Sequence, residues 1–108
     1  MEVSEAIRRR RSVRKFKDKR VARDDLLDLV DYARLAPSGM NKQPLEFVIV
    51  DEPELEREFF TYTNWAGAVD WNPDAEERPR AYLVILINPE VKPATEDHDA
   101  GLAAANAC

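Results

Sequence analysis

At 108 residues the chain supports one small domain. Its apolar share of 44% is ordinary for a globular protein and argues against wholesale disorder. The net charge of −5 is unevenly split: Met1–Arg23 carries ten Lys and Arg against three acids, +7, which leaves −12 for the rest.

No membrane span is expected, because the longest apolar run, Ala81–Ile87, is too short to cross a bilayer. The N-terminus is charged and shows no apolar stretch of the secretory kind. Cys108 is the sole cysteine, so no internal disulfide forms and a reducing cytoplasm is the expected setting. A basic arm on an acidic body is able to attract nucleic acid electrostatically. Only Phe16 offers that arm a ring for stacking bases, which argues against such a partner.

In chain order, Glu2–Arg10 reads as a short helix with Val3, Ala6 and Ile7 on one face. Arg11–Arg23 has little periodicity and reads as an extended, irregular crossing. Asp24 or Asp25 suits the start of the next helix, since a short carboxylate accepts bonds from free first-turn N–H groups. Its expected buried stripe is Leu26, Leu29, Val30, Ala33 and Leu35. Pro37 ends that helix, and Gly39 is expected to supply backbone angles that other residues avoid.

Leu45–Val50 is β-branched and apolar, as an interior strand requires. Pro53–Phe60 reads as a helix with proline in its first turn. Thr61–Arg80 is the least regular stretch and holds Trp65 and Trp71. Core or interface packing is the plain expectation for both rings, and shaping a substrate pocket is the alternative. Ala81–Ile87 reads as a second buried strand, broken by Asn88-Pro89. An alanine-rich helix follows from Asp99, and over Ala100–Cys108 it reaches the last residue with no glycine, proline or basic residue at its end to close it. The expectation is therefore the front part of a longer domain, truncated at the C-terminus.

Two segments carry chemistry. Arg10-Arg11-Ser12-Val13-Arg14 concentrates guanidinium groups and a hydroxyl, which suits a phosphate because guanidinium binds its oxygens bidentately. A solvated helix end, with cations complementing the helix dipole, is the plainer reading of Arg8–Arg11. Ala36-Pro37-Ser38-Gly39-Met40-Asn41-Lys42-Gln43-Pro44 is a helix stop whose side-chain amides suit the edge of a polar heterocycle. Together they read as two ends of one nucleotide-like cofactor. No Ser–His–Asp arrangement, glycine-rich nucleotide loop or zinc-spaced cysteine set is present. His98 among Glu96, Asp97 and Asp99 reads as a helix start, with no metal site expected.

These two segments, with the helix between them and the strand after, closely resemble the opening of the FMN-dependent nitroreductase family. Asn64-Trp65-Ala66-Gly67 and Glu77-Arg78-Pro79 resemble a small-sized branch of it. The resemblance implies an α+β fold, a central, mainly antiparallel sheet flanked by helices, with residues 1–108 forming the N-terminal part of one domain. It implies FMN as cofactor, NADH or NADPH as electron donor, and a nitroaromatic, quinone or similar small molecule as acceptor. It also implies a homodimer with flavin at the interface. Carried over by position, Arg10, Arg11, Ser12 and Arg14 would hold the flavin phosphate and ribityl chain. Pro37, Ser38, Gly39, Asn41 and Gln43 would approach the ring from the opposite subunit. A flavin carries the redox chemistry itself, so no side chain is implied as catalytic. The alternative is a non-catalytic flavin-binding or regulatory protein.

Overall fold

A computed structural model describes residues 1–65, 67, 69–91 and 96–108. Among the described residues four helices and two strands follow in the order α1 (Val3–Arg9), α2 (Arg23–Arg34), β1 (Leu45–Val50), α3 (Pro53–Thr61), β2 (Tyr82–Ile87) and α4 (Glu96–Ala107). Short 3-10 turns occupy Gly39–Asn41 and Ala75–Glu77. The expected helix over Ala100–Cys108 starts earlier, at Glu96. Ala66, within one of the branch motifs, lies outside the described residues.

α1 is a surface helix. Arg9 pairs with Glu5 one turn earlier at 3.1 Å. Val3 and Ile7, on one face by their spacing of four, stay 76% and 72% exposed. The chain then runs over residues 10–22 without regular structure, as its aperiodic sequence predicts.

That crossing is fastened by charge. Lys15 pairs with Glu77 at 3.6 Å, Arg20 with Glu56 at 2.8 Å and Arg23 with Asp51 at 2.8 Å. Arg20 also donates to the Asp51 carbonyl, and Arg80 reaches back to Asp18 at 3.0 Å. The Phe16 N–H donates to the Glu77 carbonyl at 2.8 Å. The split between a basic arm and an acidic body thus becomes intramolecular complementarity. Glu56 is the buried member, 5% exposed, and its contact with Arg20 is an ion pair without hydrogen-bond alignment.

α2 departs from the expected start. Ala22 occupies the cap position, and no side chain closes the helix there. Asp24 and Asp25 stand in the first turn, where their charge complements the dipole. Leu26 and Ala33 are buried, and Leu29 and Val30 half-buried. Leu35, expected in that stripe, is 63% exposed. Nine residues at 100° each place it opposite Leu26 around the helix.

β1 and β2 pair antiparallel from Leu45↔Ile87 to Val50↔Tyr82. Neither is the interior strand its sequence suggests. β1 alternates half-buried and exposed positions, and β2 is half-buried with Leu86 and Ile87 exposed. The sheet has only these two strands among the described residues. Directly opposed residues share a face, so Glu46, Val48 and Leu86 lie together and exposed. α2 and α4 pack on the sheet, and α3 contributes Phe59, 4.6 Å from the Tyr82 ring.

Aromatic packing joins the crossing to α3. Trp65 lies 5.6 Å from Phe60 and 6.2 Å from Phe16, while the Arg78 guanidinium sits 4.4 Å above the Phe60 ring. Trp71 stays at the surface under Lys15. Trp65 therefore packs, as expected, and Trp71 does so only in part.

Tyr82 supplies one test of this region. Its hydroxyl is buried with no hydrogen-bond partner among the described residues. Burial, then the Glu56 charge, raise its pKa above the ordinary tyrosine range. The neutral phenol is thus favoured in the fold. Between about pH 10 and the raised folded value, the unfolded chain has lost a proton that the folded chain keeps. Stability contributed below pH 10 is lost as pH rises through that window. Tyr82→Phe is expected to be neutral or stabilising by about 1 kcal/mol at neutral pH and to flatten the alkaline fall. Melting curves at pH 7 and above about pH 10 check both.

α4 lies along α2 through small side chains. Ala33 and Ala103 are almost wholly enclosed, and Asn106 donates to the Tyr32 carbonyl at 3.1 Å. Alanines bring the two backbones close and leave no room for growth. Ala103→Leu is expected to cost about 1–3 kcal/mol by overpacking, read as a shift of the denaturant midpoint. An unchanged midpoint would show that the seam yields freely.

Candidate functional site

The loop after α2 is the most structured candidate. Pro37 lacks the N–H that would continue the helix, and Pro44 is fully buried at the foot of β1. Between them the chain turns through Gly39–Asn41. Contrary to expectation, Gly39 is not the left-handed residue. Met40, Asn41 and Gln43 take that conformation, with φ of 53°, 53° and 51°. Asparagine tolerates it because its short polar side chain bonds locally, whereas methionine and glutamine do so at a steric cost.

Local bonds hold the loop. The Gln43 N–H donates to Ser38 Oγ at 3.0 Å, and Gln43 Nε2 donates to Asn41 Oδ1 at 3.1 Å. The backbone adds Asn41 N–H to the Ser38 carbonyl and Lys42 N–H to the Gly39 carbonyl. On these two exposed residues, Asn41 Nδ2 and Gln43 Oε1 have no hydrogen-bond partner among the described residues and offer a donor and an acceptor in alternation. Beside them a recess of about 230 Å³ is lined by Arg34, Pro37, Ser38, Gln43, Leu45 and Phe47. It is too small to enclose a three-ring heterocycle and suits one edge of it.

The arginine segment is exposed throughout. Arg11 Nη1 donates to the Arg8 and Arg10 carbonyls at 2.7 and 2.8 Å, closing the end of α1. That is the structural role open to any helix-end cation. Arg10, Ser12 and Arg14 use no side-chain atom in a hydrogen bond or ion pair among the described residues. Two guanidinium groups and a hydroxyl are thus uncommitted, a donor set matching a phosphate. Among the described residues no hydrogen bond or ion pair joins this segment to the Pro37–Gln43 loop.

Sequence reasoning missed Asp99, which it treated as part of a helix start. Its carboxylate is buried, 3% exposed, and accepts from the Gly39 N–H at 3.2 Å. The available signal was spacing: Asp99, Ala103 and Asn106 recur at i, i+4 and i+7, the face α4 turns to α2. Among the described residues no group of three or more His, Cys, Asp or Glu is placed to hold a metal ion. No described helix is long and apolar enough to cross a membrane.

Helices packed on an antiparallel ribbon, with a polar turn at the ribbon's mouth, define an α+β protein. Residues 7–108 match the model of the Nitroreductase family, and the chain belongs to that family. It is 36% identical over 55 residues to a Methanothermobacter thermautotrophicus protein provisionally named NADH dehydrogenase/NAD(P)H nitroreductase; the match covers 51% of this chain and 29% of that one. It is 41% identical over 49 residues to an iodotyrosine deiodinase of Thermotoga neapolitana, covering 45% and 26% of the two chains. A provisionally assigned nitroreductase from Desulfovibrio desulfuricans, solved in complex with FMN, superimposes with a TM-score of 0.76 at 25% identity. That superposition covers 97% of this chain and 59% of the solved one. The α+β, nitroreductase-like fold is thereby shown, and the chain spans little more than half the length of the solved proteins it matches.

Proposed function

We propose that this chain forms the cofactor-binding part of an FMN-dependent oxidoreductase. It would pass electrons from NADH or NADPH to a nitroaromatic, quinone or similar small-molecule acceptor. The carrying observation is the Ser38–Gln43 turn, whose amide pair is held in a left-handed arrangement beside the edge-sized recess. Bound FMN would supply reversible acceptance and donation of electrons.

The residues divide the work of holding it. Arg10, Arg11, Ser12 and Arg14 would bind the phosphate and ribityl chain, with Arg10 and Arg14 giving the most because no hydrogen bond or ion pair engages their side chains among the described residues. Pro37, Ser38 and Gly39 would shape the wall against which the ring edge lies. Asn41 and Gln43 would meet its polar atoms through the uncommitted Nδ2 and Oε1. The lack of any hydrogen bond or ion pair between the two segments among the described residues, and the uncovered Val3–Ile7 stripe, favour a homodimer in which each flavin is held by both subunits. A cytoplasmic setting with no membrane or nucleic-acid partner belongs to the same reading. The arm's Lys15, Arg20 and Arg23 are spent on the protein's own acids.

The visible absorption spectrum of the purified chain, with its intact mass, tests this reading. A flavin spectrum released as FMN on denaturation is the expected result. A colourless protein that stays colourless with added FMN overturns it. Turnover with NADH or NADPH then separates an enzyme from a flavin carrier. The acceptor panel should include iodotyrosine beside nitroaromatics and quinones, because of the identity with a deiodinase.

A further inference from the structure

Asp99 is the buried acid that links two distant parts of the site. α4 lies on α2 through Ala33 and Ala103, and Asn106 bonds the Tyr32 carbonyl. The helix is therefore a fixed support. From it the Asp99 carboxylate reaches across to the Gly39 N–H, 60 residues earlier in sequence. Gly39 opens the 3-10 turn, and Met40, Asn41 and Gln43 follow with positive φ. Left-handed backbone at non-glycine residues persists only where the surroundings enforce it. Among the described residues the loop's other hydrogen bonds, from Gln43 to Ser38 and Asn41, from Asn41 to Ser38 and from Lys42 to Gly39, lie within the loop itself. Such bonds stabilise its shape but do not tie it to the rest of the fold.

We propose that Asp99 is a positioning residue for the cofactor loop: by holding the Gly39 amide it docks the Ser38–Gln43 turn on α4 and keeps Asn41 and Gln43 presented to the flavin ring edge. The role rests on the FMN-binding reading above. Asp99 touches neither flavin nor substrate in this scheme. A carboxylate suits the task because a charge-assisted acceptor grips an amide more firmly than a neutral one. Its burial keeps water from competing for the same N–H.

The test is hydrogen exchange at the Gly39 amide in the 108-residue chain and in Asp99→Ala and Asp99→Asn, with FMN retention measured in parallel. Asp99→Ala is expected to speed Gly39 exchange about tenfold, leave the β1–β2 ladder protected, and weaken FMN retention about tenfold. Asp99→Asn keeps an acceptor oxygen of the same size and should recover most of both. If the alanine variant does not fold, the residual rise in Gly39 exchange in Asp99→Asn, expected because a neutral acceptor replaces a charged one, decides the question. Unchanged Gly39 exchange in both variants overturns the proposal. Exchange that rises equally through β1 and α4 also overturns it, since that marks a general core role. Faster Gly39 exchange with FMN retention equal to the parent chain overturns the positioning role. A parent chain that retains no FMN overturns the underlying reading instead, and the exchange measurement, which needs no flavin, keeps the two failures distinct.

Discussion

Arg20→Ala is expected to lower the melting temperature by about 10–15 °C. Arg20 is the partner of Glu56, at 2.8 Å, and also donates to the Asp51 carbonyl. Removing it leaves a buried carboxylate without a counter-charge. Losing one member of a fully buried pair costs about 3–5 kcal/mol. Arg20 itself is half-exposed, so water softens the loss to about 2 kcal/mol. In a domain of this size each kcal/mol moves the midpoint by about 4–8 °C. Arg20→Ala combined with Glu56→Leu should recover most of the loss, because the stranded charge is then gone. A shift below about 2 °C in the single variant would mean that the crossing is not fastened through this pair.

Arg14→Ala carries the largest expected effect on binding. A charge-assisted hydrogen bond is worth about 1.5–3 kcal/mol, which corresponds to a roughly 10–100-fold weaker FMN dissociation constant. Arg14 makes no hydrogen bond or ion pair with its side chain among the described residues, so its removal disturbs no internal pair. The melting temperature without flavin should therefore stay where it was. Asn41→Ala should weaken retention by a smaller factor, since its amide is neutral and partly used by Gln43. The dependence on salt should fall in Arg14→Ala and persist in Asn41→Ala, because only the first removes a charge. FMN fluorescence titration at two salt concentrations reads all of this. Retention unchanged in both variants would remove the assignment of both segments.

The elements of this chain were legible because each is written in local periodicity. Leu45–Val50 and the helix at Pro53 are found where β-branched runs and an N-terminal proline place them. Pro37 marks the end of α2, which closes at Arg34. The candidate binding segments were equally legible, since charge and amide side chains in short spacing need no tertiary knowledge to be noticed. Leu35 was misplaced for want of one angle, as nine residues carry it to the far side of the helix from Leu26.

Tertiary structure decided the rest, for reasons no window of sequence contains. Apolar strands look interior, yet burial depends on how many layers cover them, and among the described residues one face of the two-stranded sheet is exposed around Val48 and Leu86. The arm's charge was legible as a cluster able to bind an anion, but that Lys15, Arg20 and Arg23 are spent on Glu77, Glu56 and Asp51 is decided only when the chain folds back. Gly39 looked like the residue built for unusual backbone angles. The fold instead uses its amide as a donor to Asp99 and places the left-handed angles on Met40, Asn41 and Gln43. Sequence by itself determined which chemistry was available, through side-chain type and short spacing. Which of those groups were spent on the protein and which were left uncommitted among the described residues was set by contacts between residues far apart in the chain.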